Sequence, residues 1–186
     1  SSCFEALPAD AQVQYAAIML SRGRDAARIV VMLDPNMLPE YLARIEFPGS
    51  IPAVMEVTAD MAQFAWGRCL IDISDTVLPD IGVECFVAGV DRDKKNCLHN
   101  ALLDRLVDRG LCVPEKRDAF LSWQGRAPAR LPNELFPCYI FRNISHVKIV
   151  CRGNGSLEAK GYLNFSRVFT DDIVKDLESQ KSAARL

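Results

Sequence analysis

The sequence lacks the features that would identify a membrane or metal-dependent protein. No apolar run in its 186 residues approaches the ~18 to 20 needed to span a bilayer, so no membrane span is predicted. Only two histidines are present, and no cysteines or histidines have the C-x-x-C or H-x-x-x-H spacing typical of zinc sites. Neither a metal nor a cofactor is therefore predicted.

Catalytic and phosphate-binding motifs are also missing. The segment RGNGS at 152–156 has neither a Walker lysine nor a following helix, and it predicts a turn. A thiol or hydroxyl nucleophile would need a nearby base, and only His99 and His146 could serve as one in the usual arrangements. The sequence favours a non-enzymatic protein, and a thiol-dependent enzyme is its second alternative.

Cysteine usage indicates the redox compartment. The seven cysteines stand at positions 3, 69, 85, 97, 112, 138 and 151. Their odd number, and the apolar runs around five of them, are typical of reduced thiols that act as small hydrophobic residues. We expect a reducing, cytoplasmic compartment.

Lysine is absent from residues 1 to 91, which carry five arginines against thirteen acidic residues, a net charge of −8. Residues 92 to 167 carry fourteen lysines and arginines against seven acidic residues, a net charge of +7. Residues 168 to 186 add −1, which gives the whole chain a charge of −2. Since a basic segment attracts anions on any fold, this division predicts a binding role.

The acidic part, residues 1–81, predicts a layer of short helices. Apolar residues recur at helical spacing over 13–20, 26–33 and 38–45, and a fourth helix is predicted through Val57, Met61, Phe64, Ala65 and Arg68. Residues 16–45, AAIMLSRGRDAARIVVMLDPNMLPEYLARI, resemble the helical hairpins of flagellar rotor switch proteins and magnesium-transporter regulatory domains. The resemblance implies paired helices and transfers no functional residue.

The basic part, residues 82–167, predicts strands and helices. A strand is expected at 82–90, helices at 98–106 and from Pro114, a linker or ordered loop at 124–137, and strands at 138–142, 145–152 and 157–165. A C-terminal helix is predicted within 168–186, beginning at Asp171. The sequence thus predicts one α+β domain over 1–186, with an N-terminal helical layer and a C-terminal antiparallel hairpin or sheet.

Face alternation sets the register of the hairpin at 146–163. A two-residue turn at Asn154-Gly155 would mix apolar and polar side chains on each face. A three-residue loop, 153–155, with Gly155 in the left-handed conformation pairs Cys151 with Leu157 and keeps one face apolar. The same register sets Lys148 opposite Lys160.

Like charges that face each other across two strands are destabilising. Glu158, an acidic protein surface or a phosphate would offset the repulsion, or the two lysines would extend separately into water. We predict that the outward face docks a protein partner, so that the chain is an adaptor module in a larger assembly. Five residues form this predicted partner-binding face: His146, Lys148, Arg152, Lys160 and Tyr162.

Nucleic-acid binding by the same face is the first alternative. The segment KGYLNFSR resembles the basic-glycine-aromatic strand motif of RNA-recognition domains, and YIFRNI resembles their shorter motif. In that family a helix and a further strand separate the two motifs. Here only about sixteen residues separate the two motifs, and they are predicted to form a hairpin, so the topology differs from that of the family. The basic charge, with Tyr139 and Tyr162, still permits sequence-tolerant contacts.

Overall fold

The protein has a mixed α and β fold, described here from a computed structural model. The structure describes residues 2–18, 25–62, 64, 66–87, 92–129 and 138–169. These residues form five α-helices and one seven-stranded antiparallel sheet. The predicted C-terminal helix from Asp171 lies outside the described residues.

The secondary structure alternates between the two types along the chain. The helices are α1 (Ser2–Glu5), α2 (Leu38–Arg44), α3 (Ile51–Ala62), α4 (Arg92–Asp108) and α5 (Pro114–Ser122), and a 3-10 helix spans Pro35–Met37. The strands are β1 (Gln12–Ile18), β2 (Ala27–Met32), β3 (Trp66–Ile73), β4 (Val77–Cys85), β5 (Gly125–Ala129), β6 (Cys138–Cys151) and β7 (Leu157–Phe169).

Strand β6 is the longest strand and organises one side of the sheet. The sheet continues from β1 through β2, β3 and β4 to β6. One edge of β6 pairs with β4 over residues 147–151 and with β5 over residues 138–142. The other edge pairs with β7 along almost its whole length. Among the described residues, strands β1, β5 and β7 therefore each pair on one side only.

One face of the sheet, the helical face, packs against the helices. Its strand residues alternate with those of the opposite face, as the two-residue period of a strand requires. They form one buried cluster with apolar side chains of α2, α3 and α4. The cluster includes Ile29, Val31, Ile71, Val83 and Ile149 from the sheet, and Leu42, Val54, Met61, Leu102 and Leu106 from the helices.

The first two helices predicted for the N-terminal layer, at 13–20 and 26–33, are wrong. Residues 12–18 and 27–32 are strands β1 and β2, so the helical hairpin implied for residues 16–45 is not formed there. Ile29 and Val31 face the helices and Val30 faces the other way, and all three are buried. A continuous apolar run that is buried on both faces of a strand also matches a helical spacing, which explains the error.

The later predictions agree better with the structure. Helices α2, α4 and α5 lie where the spacing placed them. The predicted fourth helix ends earlier, at Ala62, and Arg68 lies on β3. The linker prediction for 124–137 is wrong over 125–129, which form β5, and residues 130–137 lie outside the described part.

The hairpin register is confirmed. Lys148 is paired with Lys160 and Cys151 with Leu157, and Gly155 has a φ of 83°. The strands predicted at 138–142 and 145–152 are one strand, with a bulge at Ser145 between the Ile144 and His146 pairings.

Among the described residues, no helix is both long and apolar enough to cross a membrane.

Candidate functional site

The sheet face opposite the helices carries polar and charged side chains, and we call it the polar face. Arg28 on β2 and Tyr162 on β7 line the same cavity there. Strands β3, β4 and β6 separate them, so a flat sheet would hold them about 19 Å apart. The sheet is therefore strongly curved, with the polar face on its concave side.

The concave side encloses a cavity of about 250 Å³, which we call the polar-face cavity. Four of the described lining residues are cationic and two are acidic. The cations are Arg28, Lys148, Arg152 and Lys160, and the acids are Asp72 and Asp80. The charged lining is suited to polar rather than apolar molecules.

A row of charged residues crosses the polar face from β3 to β7. Direct pairing between neighbouring strands places Arg68 opposite Glu84, Glu84 opposite Lys148, and Lys148 opposite Lys160. The signs alternate until the last step, where two cations meet. Lys160 forms an ion pair with a carboxylate on its own strand, since Glu158 Oε1 lies 3.1 Å from Lys160 Nζ. The row thus leaves its positive excess at Lys148.

The other cations of the cavity are paired. Arg28 Nε and Nη2 donate to the two carboxylate oxygens of Asp72 at 2.7 and 2.8 Å, a bidentate pair between β2 and β3. Arg152 Nη1 donates to Asp80 at 2.9 Å, and Arg152 Nη2 donates to Glu158. These pairs keep both guanidinium groups charged, and they raise the pKa of Arg28 and of Arg152.

Lys148 has no such partner among the described residues. Its side chain is 5% exposed, and no described carboxylate forms an ion pair or hydrogen bond with its ammonium group. The side chain lies over Gly82 of β4, where a Cβ atom would stand 2.3 Å from Lys148 Cε and 2.9 Å from Nζ. A glycine within a strand here serves the close approach of another side chain.

The surroundings of Lys148 favour its neutral amine. Burial, the largest cause, and the positive charges of Arg28 and Lys160 together lower the pKa of Lys148 to about 8. Glu84 and Asp72 act in the opposite direction. An amine in such surroundings is partly unprotonated near neutral pH, which is the condition for a nucleophilic lysine.

His146 lies beside the cavity in a stack of rings. Its ring is 4.3 Å from that of Tyr162 and 4.6 Å from that of Phe86, and Arg68 lies over the far side of Phe86. Burial, followed by the nearby cations, lowers the pKa of His146, although Glu84 acts against this. The stack holds Tyr162 in place, so one face of its ring is unavailable to a base of a nucleic acid.

The structure brings all five predicted residues to one face. Lys148, Arg152, Lys160 and Tyr162 line the cavity, and His146 supports Tyr162. The expected exposed docking face is nevertheless wrong for Lys148, which is buried because the curved sheet surrounds it.

The contribution of the acidic half to this face was missed. Arg28, Asp72, Asp80, Gly82 and Glu84 belong to the site or adjoin it. The signal was present in Ile29-Val30-Val31, since a run of β-branched residues favours a strand.

The cysteines do not form a comparable site. All seven are free, and Cys3, Cys69, Cys85, Cys138 and Cys151 are buried. Burial raises the pKa of Cys69 and Cys85 to about 12 and that of Cys151 to about 11, which suppresses the thiolate needed for catalysis. Across the described ranges, no three metal-ligating side chains are grouped around a common point.

A second surface lies on the helical side of β7. Helices α4 and α5 and strand β7 form an apolar groove of about 550 Å³, in which Phe120 packs where a Cβ of Gly161 would otherwise stand. Leu163 and Phe165 on β7 are 43% and 71% exposed. Strand β7 pairs with β6 alone in the described part of the sheet, so this apolar strand is an open edge there.

No protein-family model, curated protein or solved structure matches this chain. The function therefore has to be inferred from the chemistry of these two surfaces.

Proposed function

We propose that the protein binds a small anionic molecule in the polar-face cavity. The observation that carries the proposal is Lys148, a buried residue that lines the cavity, faces the like charge of Lys160 and has no ion pair among the described residues. A buried charge without a partner costs free energy, and natural proteins keep such groups mainly at functional sites. An anion in the cavity would supply the missing partner.

The size of the cavity favours a small anion. Ligand pockets for drug-sized molecules occupy about 300–1,000 Å³, and this cavity has about 250 Å³. It suits a small carboxylate or phosphate compound better than a protein surface. The docking of an acidic protein onto this face is therefore less favoured than it was from the sequence.

Nucleic-acid binding is also less favoured by this geometry. Binding to a phosphate backbone requires cations that are free to displace counterions. Both arginines of the cavity are already paired with carboxylates.

Calorimetric titration with two probes, pyruvate and inorganic phosphate, tests the proposal. We expect at least one of them to bind, and we expect Lys148→Met to weaken that binding about tenfold, because a charge-assisted contact is lost. Lys116→Met, on the exposed surface of α5, is the matched control and should bind like the wild type. If neither probe binds, or if both variants bind like the wild type, the proposal is wrong. A single-stranded oligonucleotide that binds with a steep dependence on salt would favour the nucleic-acid alternative instead.

The open edge of β7 favours a second function, assembly with another protein molecule. We take a second copy of this chain as the partner, since an antiparallel pair of identical edge strands about a two-fold axis needs only one surface. The strand has 13 residues, and its middle residue is Leu163, close to Phe165. In such a pair, the two exposed apolar side chains of each copy would cover those of the other.

Sedimentation of the wild type and of Phe165→Lys tests this assembly. A charged residue on an edge strand opposes strand addition, so we expect a dimer that the substitution converts to a monomer. Phe4→Lys, a change at another exposed phenylalanine, on α1, is the control and should leave the dimer intact. A monomeric wild type would contradict the proposal.

A further inference from the structure

The polar-face cavity places an amine where it can react as well as bind. Lys148 lies on the floor of the cavity, and its chain reaches over Gly82. Arg28 and Lys160 approach it from opposite sides of the curved sheet. We infer that Lys148 is a nucleophile that forms an imine with a small 2-oxo acid, an inference that rests on the proposed binding of an anion in this cavity.

The two functional groups of a 2-oxo acid match two features of the site. The carboxylate requires a positive charge, and the Lys160 ammonium lies directly opposite Lys148. One of its three N–H groups can serve Glu158, whose Oε1 is 3.1 Å away, which leaves others for the carboxylate. The neighbouring carbonyl requires an uncharged amine within reach, and burial beside other cations provides it. A molecule with only one of the two groups would use only half of the site.

The step balances without an oxidant or reductant. The lone pair of Nζ attacks the carbonyl carbon; the nitrogen then loses one proton and the oxygen gains one, which gives a neutral carbinolamine. A second proton goes to the hydroxyl group, which leaves as water, and the nitrogen loses its remaining proton, so that the neutral C=N bond is formed. Lys160 and Tyr162 line the cavity, and their side chains are the groups that can donate protons to the oxygen and take them back from the nitrogen. Hydrolysis reverses the sequence and returns the free amine.

The reaction should depend on pH through the charges around Lys148. Its rate should rise as the pH approaches about 8, since the pKa of Lys148 lies near that value. An ordinary lysine reaches the same neutral fraction only near pH 10. Charged and titratable groups from five strands act on Lys148. They are Arg28 on β2, Asp72 on β3, Glu84 on β4, His146 on β6 and Lys160 on β7.

Reductive trapping tests the inference. The wild-type protein is incubated at pH 7 with pyruvate and cyanoborohydride, which reduces an imine to a stable secondary amine. Mass spectrometry of the intact protein and of its peptides then counts and locates the carboxyethyl groups. We expect trapping at Lys148 to be on the order of a hundredfold faster than at Lys116, because more of its amine is neutral. Methyl pyruvate, which has the same ketone without the negative charge, should be trapped more slowly.

Each further outcome has a defined meaning. In Lys148→Met the fast phase should disappear, and in Lys160→Gln trapping of pyruvate should slow toward the rate of its methyl ester. Trapping at Lys148 that is no faster than at the exposed lysines of the wild type overturns the inference without the need for any variant. Equal rates for pyruvate and its ester would overturn the assigned class of substrate. If pyruvate or phosphate binds by calorimetry but no imine is trapped at Lys148, the inference fails while the proposed anion binding stands.

Discussion

The ammonium group of Lys148 costs the folded state stability. Its pKa is lowered from 10.5 to about 8 in the folded protein, a shift that corresponds to about 3 kcal/mol. Replacing a buried, unpaired charge by an apolar residue of similar shape relieves such a penalty. We therefore expect Lys148→Met to raise the free energy of unfolding at pH 7 by about 1 to 3 kcal/mol, as measured by urea denaturation.

The same prediction has a pH dependence of fixed sign. Below about pH 8 the lysine is protonated in both states, so the penalty is fully present. As the pH rises from about 8 toward 10.5, the unfolded chain binds more protons than the folded one, and the stability of the wild type rises relative to the variant. The advantage of Lys148→Met should shrink through this window. Lys116→Met, measured in parallel, removes an exposed lysine, and an equal effect of both substitutions would contradict this account.

At the scale of the elements, the hairpin shows what a sequence can predict. Val147, Ile149 and Cys151 share one face of their strand, only the three-residue loop kept that face apolar across the hairpin, and the loop glycines allowed it. Strand β2 shows the opposite case. Ile29 and Val30 lie on opposite faces of this strand and both are buried, so apolar and polar residues do not alternate there. Without that alternation, the sequence pattern does not distinguish a strand from a helix.

The loop of the hairpin offers a test at this scale. Gly155 has a φ of 83°, and no atom lies within 4 Å of where its Cβ would stand. Gly155→Ala should therefore cost only the backbone strain of the left-handed conformation, about 1 to 2 kcal/mol. Gly155→Asn should cost less, because asparagine adopts this conformation more readily. Urea denaturation of both variants measures the difference, and equal losses would show that the glycine is required for some other reason.

At the scale of the whole molecule, the two charged halves of the chain meet within the sheet. Asp72 and Asp80 come from the acidic half, and Arg152 and Lys160 come from the basic half. Curvature brings them around one cavity, so much of the charge division is neutralised inside the protein. The burial of Lys148 could not be predicted from the sequence, because it depends on how far five strands bend rather than on any local pattern.

The accessibility of the thiols tests the whole fold and the enzyme alternative together. We expect a thiol reagent at neutral pH to modify the exposed Cys97 first and the half-buried Cys112 more slowly. The five buried cysteines should react only as the protein unfolds. In denaturant all seven should react. Rapid modification of a buried cysteine in the native protein, located by peptide mapping, would instead support a thiol-dependent enzyme.

The close approach of Lys148 to Gly82 also has a consequence for evolution. A Cβ at position 82 would stand 2.3 Å from Lys148 Cε, so a larger residue there requires the end of the lysine side chain to move. If Lys148 has the proposed chemistry, a descendant that keeps it is expected to keep Gly82 as well, whereas one that has lost the lysine is free to vary at position 82. These two positions, 66 residues apart in the chain, should therefore change together.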